Sequence, residues 1–476
     1  MARLTLHDDR FFDPNPAVRR VARMLYEEVR DHPIVGPHGH VPPALLAENE
    51  PFPEPTSLLF TPDHYIFRML YSQGLRLEDL GIPTVDGTPV EDDPRTIWQT
   101  FGEHYYLFRG TPTRAWLDYE LYHVFDVRQR LSGETAMTIY DQIQEKLEQP
   151  SFRPRALYDQ FNVEVLTTTD AATDSLEHHR AIRESDWDGR VVPCFRPDAL
   201  FQIADPDWPD ELDRLADAAD TSIGSYDAFV QALEDRRAFF KEMGATSTDH
   251  GVYSPRTERL SDGEAERLFR RALAGDATDD DQARFTAHML MEMARMSVDD
   301  GLVMQIHPGS YRDHNEALYD RFGADVGGDI PVRTEYTKNL KPLLNRYGTN
   351  PDFTLVVFTL DETTYGRELA PLAGHYPAMR IGPPWWFFDS IEGMKRYRRQ
   401  ITETAGVYNT AGFNDDTRAF LSIPARHDLA RRLDANYVAT LVARHQIEMD
   451  EAHEIMEALT VGLVRDTYNL GAPSEA

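Results

Sequence analysis

GLVMQIHPGS, residues 301–310, is almost wholly apolar until it reaches His307. A strand apolar on both faces is buried on both sides, as in a parallel sheet covered by helices. The same pattern, a β-prone run ending in polar groups, recurs on either side. Downstream lie DFTLVVFTLDE (352–362), PAMRIGPPWWFFD (377–389) and AGVYNTAGFNDDTR (405–418). Upstream lie MGATSTDH (243–250), RVVPCFRPD (190–198), VEVLTTTD (163–170) and HPIVGPHGH (32–40). Helical stretches separate most of these runs. Eight strands alternating with helices predict an α/β protein built as a (β/α)₈ TIM-type barrel. An open doubly wound sheet is the alternative. No glycine-rich phosphate fingerprint follows the first strand, so no nucleotide cofactor is expected.

One region breaks the rhythm. Residues 42–155 are rich in Pro, Trp, Tyr and acids and show no strand alternation. They read as a helical insertion after the first strand, with helices around TPDHYIFRMLYSQG and TRAWLDYELYHVFDV. The expected division is therefore 1–41 (an amphipathic helix over 16–31 and the first strand), 42–155 (the insertion) and 156–476 (the rest of the barrel).

Composition narrows the function classes. The chain has 49 bases and 80 acids, a net charge of −31. Such a surface repels polyphosphate, so no nucleic-acid partner is expected. The single cysteine, Cys194, cannot form an internal disulfide and reads as packing inside a strand. No run approaches the roughly 18 apolar residues of a membrane span, and the N-terminus has no apolar signal core. A cytoplasmic protein is expected. Only five bases are lysine. The acid excess fits either an arginine-rich genome or a halophilic source.

In a barrel, groups at the C-terminal ends of the strands converge on one site. Those ends carry His38 and His40, Asp170, Arg196, Asp249 and His250, His307, Trp385 and Trp386, and Asp415, Asp416 and Arg418. In His38-Gly39-His40 the two imidazoles are two residues apart, on one side of an extended chain. They can chelate one divalent cation, although such a pair also occurs in ordinary loops. With Asp416 and His307 the set suits Zn²⁺, with Mn²⁺ or Fe²⁺ as alternatives. Arg196 and Arg418 each suit capture of a carboxylate or polarised oxygen, or a salt bridge to the adjacent aspartate. Asp63 reads as a helix N-cap and Tyr65 as core. Trp385 and Trp386 read as barrel core or as a platform for a sugar's apolar face. His178 and His179 read as surface residues of a helix.

These segments, taken in order, resemble the uronate isomerase (glucuronate isomerase) family of the amidohydrolase superfamily. The resemblance rests on the pair at 38–40, PDHYIFRMLYSQG (62–74), TTDAATDSLEHH (168–179), FRPD (195–198), DHG (249–251), VMQIHPGSYRDHN (303–315), PWWFFD (384–389) and DTRAFLS (416–422). It implies a distorted barrel with a helical insertion, and interconversion of an aldose and a ketose uronate, a small-molecule sugar acid. It implies metal ligation by His38, His40 and Asp416, with His307 as a further candidate ligand ending the fifth strand. Tyr65 matches the tyrosine that abstracts the proton, here expected as a phenolate favoured by nearby positive charge. The cation or its bound water, with His38 and Asp416, would assist ring opening, and His307 or metal-bound water would return the proton. Arg418 matches the arginine near the reacting oxygens. Arg196, Arg312, Asn315, His64 and Trp386 form the expected substrate-binding set. Several flanking residues depart from the family pattern. Asp170 is followed by Ala171-Ala172, His307 by Pro308-Gly309-Ser310, and Pro384 and Phe388 replace a glycine and an asparagine. The pocket is thus expected to keep its reaction type with altered substrate contacts. A metal-dependent hydrolase of the same superfamily and a non-catalytic sugar binder are the competing readings. A barrel with a large insertion commonly self-associates, so a homo-oligomer is expected.

Overall fold

The computed structural model describes residues 2–471. Helix α1, Pro16–Val29, begins with proline at its first position and an Asn15 cap accepting from the Ala17 amide. Its buried stripe of Val18, Ala22, Leu25 and Val29 packs on the long helix Ile423–Ala443. The first strand, β1 (Ile34–Gly36), follows.

Between β1 and the next strand the chain is helical: α2 (Pro43–Glu48), α3 (Pro55–Leu59), α4 (His64–Ser72), α5 (Pro94–His104), α6 (Pro112–Tyr119), α7 (Ala136–Leu147) and α8 (Pro154–Gln160). Five of these open on proline, whose fixed φ and missing N–H suit the first helical position. Side-chain caps from Glu54, Asp63, Asp93 and Thr111 satisfy first-turn amides. The helices share an aromatic core in which Phe60, Tyr105 and Phe108 each pack against Phe101 at 5.4–5.8 Å. Each fully buried ring of this kind stabilises the fold by roughly 1.5–3 kcal/mol relative to exposure.

The barrel strands then run β2 (Val163–Thr167), β3 (Asp170–Ala171), β4 (Val191–Val192), β5 (Phe195–Arg196), β6 (Ser247–Val252), β7 (Val303–Pro308), β10 (Leu355–Val357) and β11 (Met379–Ile381), with a short antiparallel ribbon of β8 (Ser310–Tyr311) and β9 (Ile330–Pro331) in between. All barrel pairings are parallel. β2 and β3 are halves of one barrel strand broken at 168–169, and β4 and β5 are halves of another broken at Pro193-Cys194. Proline lacks the donor that a continuous ladder needs, and these breaks make the barrel distorted. Bonds from Thr168 N–H to Val192 O and from Asp170 N–H to Cys194 O, both 3.0 Å, carry the pairing across the breaks.

Seven of the eight expected strands form. The eighth, at 405–418, is reduced to an isolated bridge between Ile381 and Thr410. Gly406, Gly412 and Asp416 all have positive φ there, which interrupts an extended strand. Closure is completed by His40 N–H donating to Thr417 O at 3.0 Å. At the opposite end Tyr468 is buried and its hydroxyl donates to Gln305 Oε1 at 2.9 Å. Among the described residues no helix is long and apolar enough to cross a membrane.

One surface expectation is corrected. His179, in α9 (Glu177–Arg183), is 1% exposed and pairs through Nε2 with the Thr168 hydroxyl at 2.8 Å, which itself donates to Asp170. The seven-residue helix turns this face inward onto the broken second strand.

Candidate active site

A cavity of about 1120 Å³ opens at the C-terminal ends of the strands. At its floor β1 delivers His38 and His40, β7 delivers His307, and the loop in place of the eighth strand delivers Asp416. One donor atom from each of His38, His307 and Asp416 lies within 4.8 Å of the others. Asp416 Oδ1 is 3.3 Å from His38 Nε2 and 3.1 Å from His40 Nε2. Yet Asp416 Oδ1 and His307 Nε2 are buried without a hydrogen-bond partner among the described residues. Donors held about 2.1 Å from a tetrahedral ion lie roughly 3.4 Å from one another. The spacing and the unpaired atoms therefore fit a divalent cation. His40 meets this group through Asp416 and lies outside the tighter triad of His38, His307 and Asp416. Gly39 leaves room at the floor: a Cβ there would sit 3.5 Å from Thr167 O and 3.7 Å from Asp415 Oδ1. Asp416 itself is held at φ +42°, a conformation rare outside glycine that concentrates at functional sites.

His307 is oriented from behind by Asp249, a strand-end residue to which the sequence reading gave no role. Its Nδ1 donates to Asp249 Oδ1 at 2.5 Å, which leaves the Nε2 lone pair facing the cavity. The ring is stacked on Phe358 at 3.9 Å and meets the edge of Trp385 at 4.8 Å. Burial alone would raise the Asp249 carboxyl, but His307, Arg196 and His38 together hold it well below the usual carboxylate range. Asp249→Asn is expected to lower metal occupancy or activity by about 10- to 100-fold, the usual effect of losing an outer-shell partner. Titration with the metal, read by calorimetry beside the kinetics, checks this. Unchanged metal affinity and unchanged kcat/KM would show that His307 does not need Asp249.

Arg196 forms the salt bridge to its neighbour, with Nε 2.7 Å from Asp198 Oδ2, and also lies 3.3 Å from Asp249 Oδ2. Asp198 is pushed up to about 6 by burial, against the pull of Arg196. Gly251 lets the guanidinium lie close to the backbone, since a Cβ would stand 2.5 Å from Arg196 Nη2 and displace it from its present position. The guanidinium is thus fixed while still lining the cavity.

On the other side the β8–β9 ribbon carries Arg312, whose Nη1 donates to Asp329 at 2.6 Å and whose guanidinium lies over Trp386 at 5.1 Å. Trp386, at φ +50°, meets His64 edge-on at 5.7 Å. His64 stacks on Tyr65 at 4.7 Å, and its buried Nε2 has no partner among the described residues. Burial, aided by Arg418, pulls His64 down to about 4. Arg418 lines the cavity with Nη2 3.4 Å from Asp325 Oδ2, so its partner is on a distant loop and not the adjacent aspartate. Asn315 does not line the cavity. Its side chain caps the helix Glu316–Phe322 by accepting from Leu318 N–H at 3.3 Å.

Tyr65 lines the cavity, and Asp63 caps its helix by accepting from the Tyr65 amide at 2.8 Å. Burial raises the phenol well above 10, and the nearby cation Arg426 offsets this only in part. Arg426 and its buried partner Asp389 were not picked out from the sequence. Both sit in a fully buried pair whose members are separated by a long stretch of chain.

A family model described as glucuronate isomerase matches residues 9–465. The chain belongs to the glucuronate isomerase family. Two curated uronate isomerases are close relatives of this family member. The one from Rhizorhabdus wittichii is 55% identical over 472 residues, covering 98% of this chain and 99% of that one. The one from Brucella canis is 53% identical over 467 residues, covering 98% and 100%. The crystal structure of glucuronate isomerase from Caulobacter crescentus superposes with a TM-score of 0.97 at 50% identity, covering 100% of this chain and 99% of that one. Membership makes the chain an aldose–ketose isomerase, and the distorted barrel is the fold it shares with that structure.

Proposed function

We propose that the protein interconverts an aldose and a ketose hexuronate, D-glucuronate with D-fructuronate and D-galacturonate with D-tagaturonate, through an enediol. The observation that carries this reading is the convergence of His38, His307 and Asp416 at the floor of a cavity lined by five guanidiniums, Arg196, Arg256, Arg312, Arg418 and Arg426. The guanidiniums alternate with aspartates in the wall, so a sugar acid would be met by individual arginines able to hold a carboxylate or a polarised oxygen.

A mononuclear divalent cation, Zn²⁺ before Mn²⁺ or Fe²⁺, would be held by His38, His40 and Asp416, with His307 as the further donor. When bound it supplies Lewis-acid polarisation of the sugar oxygens. Arg196 binds the substrate carboxylate, with Arg312 as the second cation. Arg312 and His64 hold Trp386 against the sugar's apolar face. Tyr65 takes the proton from C2, Arg418 stabilises the developing enediolate oxygen, and water, or His307 where it does not ligate the cation, returns the proton at C1. Residues 42–155 serve as the insertion that brings Tyr65 over the barrel mouth. The cytoplasm is the compartment that suits this activity.

The test is a product assay. Protein loaded with Zn²⁺ or Mn²⁺ is incubated in D₂O with D-glucuronate and with D-galacturonate, at low and high salt, and followed by NMR. Ketouronate with deuterium at the migrating position is the expected result. Absence of turnover and of C2 exchange under every condition would reject the isomerase reading in favour of another substrate or hydrolysis.

A further inference from the structure

Arg426 is the least explained charge in the cavity wall. It lies on the helix Ile423–Ala443, is 4% exposed, and is fixed on three sides. Nη1 donates to Asp389 Oδ2 at 2.5 Å, Nε donates to Ser422 Oγ at 3.1 Å, and the guanidinium lies 3.7 Å above the Trp116 ring. Asp389 is almost equally buried. Removing two charges from water costs more than a pair of this kind usually returns in stability, so its cost calls for a role. The remaining nitrogen, Nη2, makes no hydrogen bond among the described residues, and Arg426 reaches the cavity. Tyr65 packs on the same indole, edge-on at 6.1 Å. The two residues thus share Trp116 and face the same space.

We propose that Arg426 is a positioning residue for the isomerisation, the fixed positive charge against which Tyr65 becomes a competent base. The inference rests on the reading of Tyr65 as the group that takes the C2 proton. In that step the C2–H bond breaks and its electron pair passes into the enediolate. The proton joins the Tyr65 phenolate oxygen, and the negative charge moves from Tyr65 to the substrate. The phenolate must form before each turnover inside a buried site. The charged groups acting on it are Asp63 at the cap of its own helix, Asp389, Asp416 and Arg426. The three carboxylates oppose ionisation and Arg426 alone of these favours it. Glu120, in the helical turn after α6, acts on Asp63 and is itself pushed up to about 8 by burial, so it adds little negative charge near neutrality. Asp389 is pushed up to about 7 by burial in spite of Arg426. Among these groups Arg426 is the one that favours the phenolate.

The test compares Arg426→Lys, the double variant Arg426→Met/Asp389→Asn, and Tyr65→Phe with the native protein. The double variant removes the pair as a unit, so no uncompensated charge is left to unfold the protein, and circular dichroism with substrate binding confirms its fold. For the double variant kcat is expected to fall by about 10²-fold, within the range of a general base, with KM changed by less than about threefold. The acidic limb of its kcat–pH profile is expected to move up, but by less than the roughly 1–3 pH units of a lone opposite charge at close range, because the opposing Asp389 carboxylate is removed with Arg426. The lysine variant restores most of the rate and returns the limb toward its native position. A folded double variant with native kcat and a native acidic limb overturns the proposal. If Tyr65→Phe still exchanges the C2 proton in D₂O, the base reading itself is lost. If Tyr65→Phe is inactive while the Arg426 variants behave natively, only the role of Arg426 is rejected.

Discussion

Asp416→Asn protein is expected to lose both its metal and about 10³-fold or more of its turnover, while keeping its fold. Oδ1 of Asp416 is the point from which His38 Nε2 and His40 Nε2 are measured, at 3.3 and 3.1 Å. Replacing it with an amide removes the one charged donor of the set. The lost charge stabilisation of the developing oxyanion amounts to several kcal/mol, and each 1.36 kcal/mol is tenfold in rate. Asparagine is the informative substitution because the backbone stands at φ +42°, and asparagine tolerates the left-handed region better than most residues. Alanine would mix backbone strain with loss of the ligand. Metal analysis of purified protein, with kcat measured at saturating metal, checks the result. A variant that keeps native metal content and native kcat would remove Asp416 from the centre of the site.

The second large effect is expected at Tyr65. Tyr65→Phe should lower kcat by about 10²–10⁴-fold, the usual contribution of a positioned acid or base. KM should change little, because loss of an interaction made in the transition state leaves ground-state binding intact. The ring stays where it is. Its contacts with His64 at 4.7 Å and Trp116 at 6.1 Å involve the aromatic face and edge, and phenylalanine keeps both. Exchange of the C2 proton in D₂O should fall in parallel with kcat. Near-normal kcat in this variant would exclude Tyr65 as the base.

The barrel was legible in the sequence because its strands are buried on both faces. β7 is buried from Val303 to Pro308 and reads as an apolar run. The eighth run looked similar but lacks the backbone to pair, since glycines and Asp416 turn it away. The floor of the site was legible for a related reason: His38, His40, His307 and Asp416 each end such a run. The walls were less so. Arg426, Asp389 and Asp249 become meaningful only through partners far along the chain. The helix Ile423–Ala443 is buried nearly all round, with Arg426, His427, Arg431, Arg432 and Asp434 among its buried residues. No periodicity separates its inner face from its outer one. The chemistry of such a helix is written in tertiary pairs such as Arg426–Asp389 and Arg398–Asp434. Asn315 shows the converse case, since its motif-like spacing reflects a helix cap. His179 shows the limit of reading a short polar helix, where nothing local tells which side meets the barrel.

The seam where His40 N–H meets Thr417 O has a consequence for the order of events during synthesis. The two imidazoles after the first strand are made well before the carboxylate that completes their cluster. Domains generally fold as units as the chain emerges, but this one cannot close before the segment carrying Asp416 and Thr417 has emerged. Tyr468, whose hydroxyl is held by Gln305, follows later still. The cluster therefore stays half-built while the intervening barrel is being made.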